Sequence, residues 1–103
     1  MEVYIEDKEL EKLYTSGKSK KLRLPEPVID KFFATIQKIE ASTSIKDILA
    51  DNGLYFKKLK GVEDRYSMRL NKQYRLEMEI TWTDDKQTIG IFYLKEISNH
   101  YGD

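Results

Sequence analysis

LYFKKLKGVEDRYSMRLNKQYR, residues 54–75, decides how this chain is read. It holds seven of the 18 basic residues (Lys57, Lys58, Lys60, Arg65, Arg69, Lys72 and Arg75) against two acids, Glu63 and Asp64. The formal net charge of the whole chain is zero, so this segment is a local concentration of positive charge. Its second half also carries a period of two. Tyr66, Met68 and Leu70 alternate with Ser67, Arg69 and Asn71, as in a strand with one buried face. After a turn at Asn71 and Lys72, Tyr74, Leu76, Met78, Ile80 and Trp82 alternate with Arg75, Glu77, Glu79 and Thr81. If the apolar set meets the core, Ser67, Arg69, Arg75 and Glu77 line a second face that is polar, partly basic and open to a ligand.

Downstream, Asp84, Asp85 and Lys86 make the next turn. Residues 89–94 are almost all apolar, which predicts a strand buried on both sides. Upstream, residues 54–59 stand as a possible additional strand, preceded by a turn signal at Asn52 and Gly53. Pro25 and Pro27 open a helix, since proline has no N–H to lose in a first turn. Val28, Phe32, Ile36 and Ile39 then keep to one helical face, and residues 42–44 end it. A short helical turn follows at residues 45–50. Asp7 caps an earlier helix carrying Leu10, Leu13 and Tyr14, which Gly17 stops. Val3–Ile5 reads as a first strand, and residues 18–23 as a solvated basic connection. The predicted fold is α+β, in the order β-α-α-β-β-β. Two N-terminal helices pack on one face of a small, mostly antiparallel sheet, in one domain over residues 1–103.

Composition narrows the function. At 40% hydrophobic and 12% aromatic residues the chain folds rather than staying disordered. With zero net charge, any anionic partner must be met by a patch. There is no cysteine and one histidine, which leaves no thiolate metal site and disfavours a transition-metal centre. No apolar run reaches membrane-spanning length and the N-terminus does not read as a signal peptide, so the expectation is a cytoplasmic protein without cofactor.

Three motifs resemble one family. Leu59, Lys60 and Gly61, then RYSMRLNKQYRL from Arg65 to Leu76, then the tail ISNHYGD from Ile97 to Asp103, resemble the HigB branch of the RelE/ParE toxin superfamily. The resemblance implies a toxin of a type II toxin–antitoxin system. It implies a ribosome-dependent endoribonuclease that cuts messenger RNA without a metal and so inhibits translation. The implied partner is a helix-turn-helix (HigA-like) antitoxin, and the protein would meet operator DNA only through that complex. The alternative is an inhibitor of the ParE type, which poisons gyrase, or a degenerate toxin acting only with its antitoxin.

Metal-free RNA cleavage needs a base for the 2′-OH, cations for the charged phosphorane and an acid for the leaving oxygen. Arg75 and Arg69 are candidates for the phosphorane, because guanidinium matches phosphate with two hydrogen bonds. Lys57 is a candidate for neutralising the backbone or moving a proton. Lys58, Lys60, Arg65 and Lys72 are candidate RNA contacts. His100 titrates in the useful range, and Tyr101 can stack on a base or donate a proton. Some relatives carry histidine where Lys57 stands and end in Asp-Tyr-His. Here Asn99, His100 and Tyr101 take those places, so the acid is absent and the last two residues are exchanged. The plainer readings are a structural ion pair from Arg75 to Glu77 or Glu79, a solvated strand edge for the lysines, and an exposed His100.

Overall fold

In the computed structural model, which describes residues 1–99, the period-two stretch becomes two antiparallel strands within a five-stranded sheet. The strands are β1 (Val3–Ile5), β2 (Lys57–Lys58), β3 (Arg65–Arg69), β4 (Tyr74–Trp82) and β5 (Gly90–Asn99). Their order is β1-β5-β4-β3-β2. All neighbours are antiparallel except β1 and β5, which run parallel with Tyr4 opposite Tyr93. The turn between β3 and β4 is held by Asn71, whose side-chain oxygen accepts from the amides of Gln73 (2.8 Å) and Tyr74 (2.7 Å).

The helices start and stop where the sequence marks them. α1 (Lys8–Ser16) begins at Asp7, whose carboxylate accepts from the Glu9 and Leu10 amides, and ends at Gly17 in the left-handed conformation, φ 75°. α2 (Glu26–Ala41) follows Pro25 and buries Val28, Phe32, Ile36 and Ile39. α3 (Ile45–Leu49) has a capping box from Ser44 and Asp47. These apolar faces meet Tyr66, Met68, Leu76, Met78, Ile80, Phe92 and Leu94 from one side of the sheet, forming the core. The Tyr66 ring stacks on Phe56 and meets Trp82 edge-on, and the Trp82 indole N–H donates to the Tyr66 hydroxyl at 3.2 Å.

Two expectations are corrected. The extra strand at residues 54–59 shrinks to the two residues of β2, because Asn52–Leu54 form a 3-10 turn. The apolar run at residues 89–94 is buried on one face only: Phe92 and Leu94 are buried, whereas Ile91 and Tyr93 are half-buried and Ile89 is exposed. Among the described residues no helix covers that second face; Tyr93 stacks there on Tyr4 of the edge strand, ring centroids 5.7 Å apart.

β5 also contains a bulge. Glu77 pairs with Glu96 but Met78 pairs with Leu94, so Lys95 is an extra residue. The extra residue inverts the alternation beyond it. Ile97 turns to the core, opposite Leu76, and Ser98 comes to the polar face opposite Arg75.

Candidate functional site

The polar face of the sheet is built in rows by strand register. One row crosses Lys57 of β2, Ser67 of β3, Glu77 of β4 and Glu96 of β5. The next crosses Arg69, Arg75 and Ser98. On the other side of the first row lie Arg65, Glu79, Tyr93 and Tyr4.

Two of these polar residues are buried: Ser67 is 1% and Arg75 6% exposed. The face is therefore less open at its centre than the alternation alone predicts. Arg69 and Arg75 are direct cross-strand partners, a like-charge pairing that costs stability in an ordinary sheet. Burial, and then the Arg69 guanidinium, lower the Arg75 pKa from its ordinary value, while Glu77 pulls it up. Arg75 nonetheless stays a cation at neutral pH.

Three carboxylates at the face have cationic neighbours. Arg65 meets Glu77 at 3.5 Å, and Lys95 bridges Glu6 (2.7 Å) and Glu79 (3.2 Å). Those two hydrogen bonds raise the Lys95 pKa. Four polar atoms on the face nonetheless have no partner among the described residues. Arg65 Nε, Ser67 Oγ and Arg69 Nε, on successive polar-face positions of β3, are buried without a hydrogen-bond partner among the described residues, as is Ser98 Oγ on β5. Orphaned buried polar atoms are rare in folded proteins, and two guanidinium N–H groups and two hydroxyls on one face suit an acceptor-rich ligand.

The structure brings Lys57, Arg65, Arg69 and Arg75 to this face. It does not bring Lys58, which stands opposite the core residue Tyr66 and so lies on the other side of the sheet from Lys57. Lys60 follows Leu59, whose amide donates to the Arg65 carbonyl, so it sits at the far end of β3 from Arg69. Lys72 is exposed in the turn between β3 and β4, next to the arginine pair along the chain. His100 and Tyr101 lie outside the described residues, which stop at Asn99, opposite Tyr74 and one register position from Arg75.

One residue escaped the sequence reading. The Arg69 guanidinium carbon lies 3.9 Å from the centre of the Tyr55 ring, within cation–π range. Tyr55 is 54% exposed and its backbone is left-handed, φ 47° and ψ 46°. The available signal was an aromatic pair, Tyr55 and Phe56, just before the lysine run and after an Asn-Gly turn.

Among the described residues no group of three or more His, Cys, Asp or Glu side chains is placed to hold a metal, and no helix is long and apolar enough to cross a membrane. A hollow of about 750 Å³ lies away from the arginines, lined by Lys12, Gly17, Lys18, Leu22, Arg23 and Ile29.

Comparison with known proteins agrees with the fold. A family model described as the RelE-like toxin of the type II toxin–antitoxin system HigB matches residues 4–94. Among solved structures, the chain is similar to a YoeB/ParE toxin from Agrobacterium tumefaciens, with TM-score 0.61 and 13% identity, over 98% of this chain and 100% of that one. At that identity the likeness speaks for the fold alone. No curated protein sequence matches the chain.

Proposed function

The chain belongs to the RelE-like HigB toxins of type II toxin–antitoxin systems, and from that membership we propose that it is a ribosome-dependent endoribonuclease that cuts messenger RNA without a metal. As a type II toxin it has an antitoxin partner. That partner is proposed to be a helix-turn-helix (HigA-like) protein, through which alone the toxin meets operator DNA, with both acting in the cytoplasm.

The observation that carries the reading is the facing pair Arg69 and Arg75 on a surface where two guanidinium N–H groups and two hydroxyls are buried without a partner among the described residues. A phosphorane supplies what the row of Arg69, Arg75 and Ser98 is without: negative charge and several acceptor oxygens. In the proposed reaction the substrate's 2′-oxygen attacks the neighbouring phosphorus and the 5′-oxygen leaves with a proton. Arg75 and Arg69 take the charge that builds on the phosphorane oxygens. Lys57, one row away, neutralises the adjoining backbone. His100 and Tyr101 are the proposed proton-transfer groups.

The test is induced expression in a bacterial host with mapping of new transcript 5′ ends. Cuts inside translated codons are expected. In purified, ribosome-programmed reactions Arg75→Ala is expected to slow cutting roughly 100-fold or more, the scale of losing one transition-state donor. Growth arrest without cuts would replace this reading with gyrase inhibition. No arrest would indicate a toxin that acts only in its antitoxin complex.

A further inference from the structure

Tyr55 is held in a conformation that bulky side chains rarely adopt, with φ 47°. Such strain is retained where surrounding structure imposes it, and it clusters at ligand sites. Here it comes at the end of the 3-10 turn Asn52–Leu54 and directs a large ring to the rim of the arginine face rather than into the core. Arg69 lies over that ring at 3.9 Å, with its Nε buried and lacking an acceptor among the described residues.

Tyr55 also borders a shallow hollow of about 360 Å³ with Ile48, Leu49, Asp51, Asn52 and Phe56, and Arg69 is not part of its lining. One wall is aromatic and one aliphatic, since Leu49 is 56% exposed. At the rim, exposed Asn52 carries an amide with both donors and an acceptor. The Asp51 carboxylate in the lining is engaged by the Gly53 amide at 3.1 Å. An exposed aromatic ring, an aliphatic side chain, an amide at the edge and a cation for the adjoining phosphate are parts that suit an unstacked base.

We propose that this hollow seats one base of single-stranded RNA. Tyr55 is the stacking platform, and Arg69 both fixes its ring and donates to the phosphate beside the seated base. Arg69 is then a positioning residue as well as a phosphate ligand. The inference deepens the nuclease reading and rests on it for the identity of the RNA. The cation–π contact with Arg69 keeps the platform from rotating away, so the base is held beside the Arg69–Arg75 pair.

The probe is a short single-stranded RNA carrying 2-aminopurine, whose fluorescence falls on stacking, with 2′-O-methyl groups to prevent cutting. It is titrated with the full chain, free and on programmed ribosomes. Tyr55→Asn is the informative variant, because asparagine tolerates the left-handed backbone and the fold should survive, as circular dichroism can check. Wild type is expected to quench the probe. Tyr55→Asn is expected to lose the quench and bind roughly ten-fold more weakly, with rescue by Tyr55→Phe or Tyr55→Trp.

Cutting is followed separately on unmodified messenger RNA. If wild type cuts and Tyr55→Asn quenches and cuts as wild type does, the base seat is overturned and the nuclease stands. If wild type quenches in a Tyr55-dependent way but never cuts, the seat stands and the nuclease falls. No quench with wild type in either setting overturns the seat. Unchanged quenching with weakened antitoxin binding would overturn it too, and make the patch a protein contact.

Discussion

Arg75 shows how much one position can carry in a small sheet. Its parity was legible, because the alternation from Tyr74 to Trp82 has no gap and places Arg75 with Glu77 and Glu79. Its depth and its pairing with Arg69 were not legible, because both depend on how β3 and β4 register across the turn. Tyr55 was illegible for another reason: nothing in local propensity predicts a left-handed tyrosine. Asp84 gives the clearest titration. Its carboxylate accepts from the Thr88 hydroxyl and from the Ile89 (2.9 Å) and Thr88 (2.8 Å) amides, and these bonds lower its pKa. The lowered value means the unfolded chain binds the proton more tightly. The contribution is therefore complete above the ordinary aspartate value near 3.8 and is lost as pH falls through the folded value. Asp84→Asn should be less stable than wild type at pH 7 in urea melts. The gap should narrow in acid below about pH 4.

At the scale of elements, caps and periods were readable and partners at long range were not. Asp7, Gly17, Pro25 and Pro27 mark helix ends through local backbone chemistry, so α1 and α2 fall where the sequence puts them. The parallel pairing of β1 with β5 joins residues about ninety apart and leaves no local trace. The bulge at Lys95 did leave one. Lys95 and Glu96 interrupt the apolar run just where the strand changes the face it offers the core. β5 also depends on closeness to its neighbour. A Cβ on Gly90 would lie 2.6 Å from Ile80 Cγ2 and 3.2 Å from the Thr81 oxygen and Trp82 Cε3. Gly90→Ala should therefore destabilise the protein by about 1–3 kcal/mol through overpacking, read as a lower urea midpoint with an unchanged slope.

Over the whole molecule a formal charge of zero conceals a division within one face. Arg69 and Arg75 lie in one row, while Glu6 and Glu79 are gathered around Lys95 beyond the row that holds Ser67 and Glu77. Binding to a polyanion should thus be strongly salt-dependent although the molecule is neutral overall. For the RNA probe, Lys57→Gln should reduce the slope of log affinity against log salt by about 0.7, the share of one neutralised single-strand phosphate. The same topology governs the birth of the chain. β5 lies between β1 and β4, and the Phe92 amide donates to the Glu2 carbonyl at 2.9 Å. The first strand made thus waits for the last described one, and β1 has no strand to pair with until residues 92–94 have left the ribosome. The β3–β4 hairpin can form early, since its contacts are local. The finished sheet cannot, so the arginine face gains its full backing only after most of the chain has been synthesised. A protein proposed to attack translating ribosomes thereby keeps its arginine face unfinished while it is itself being translated.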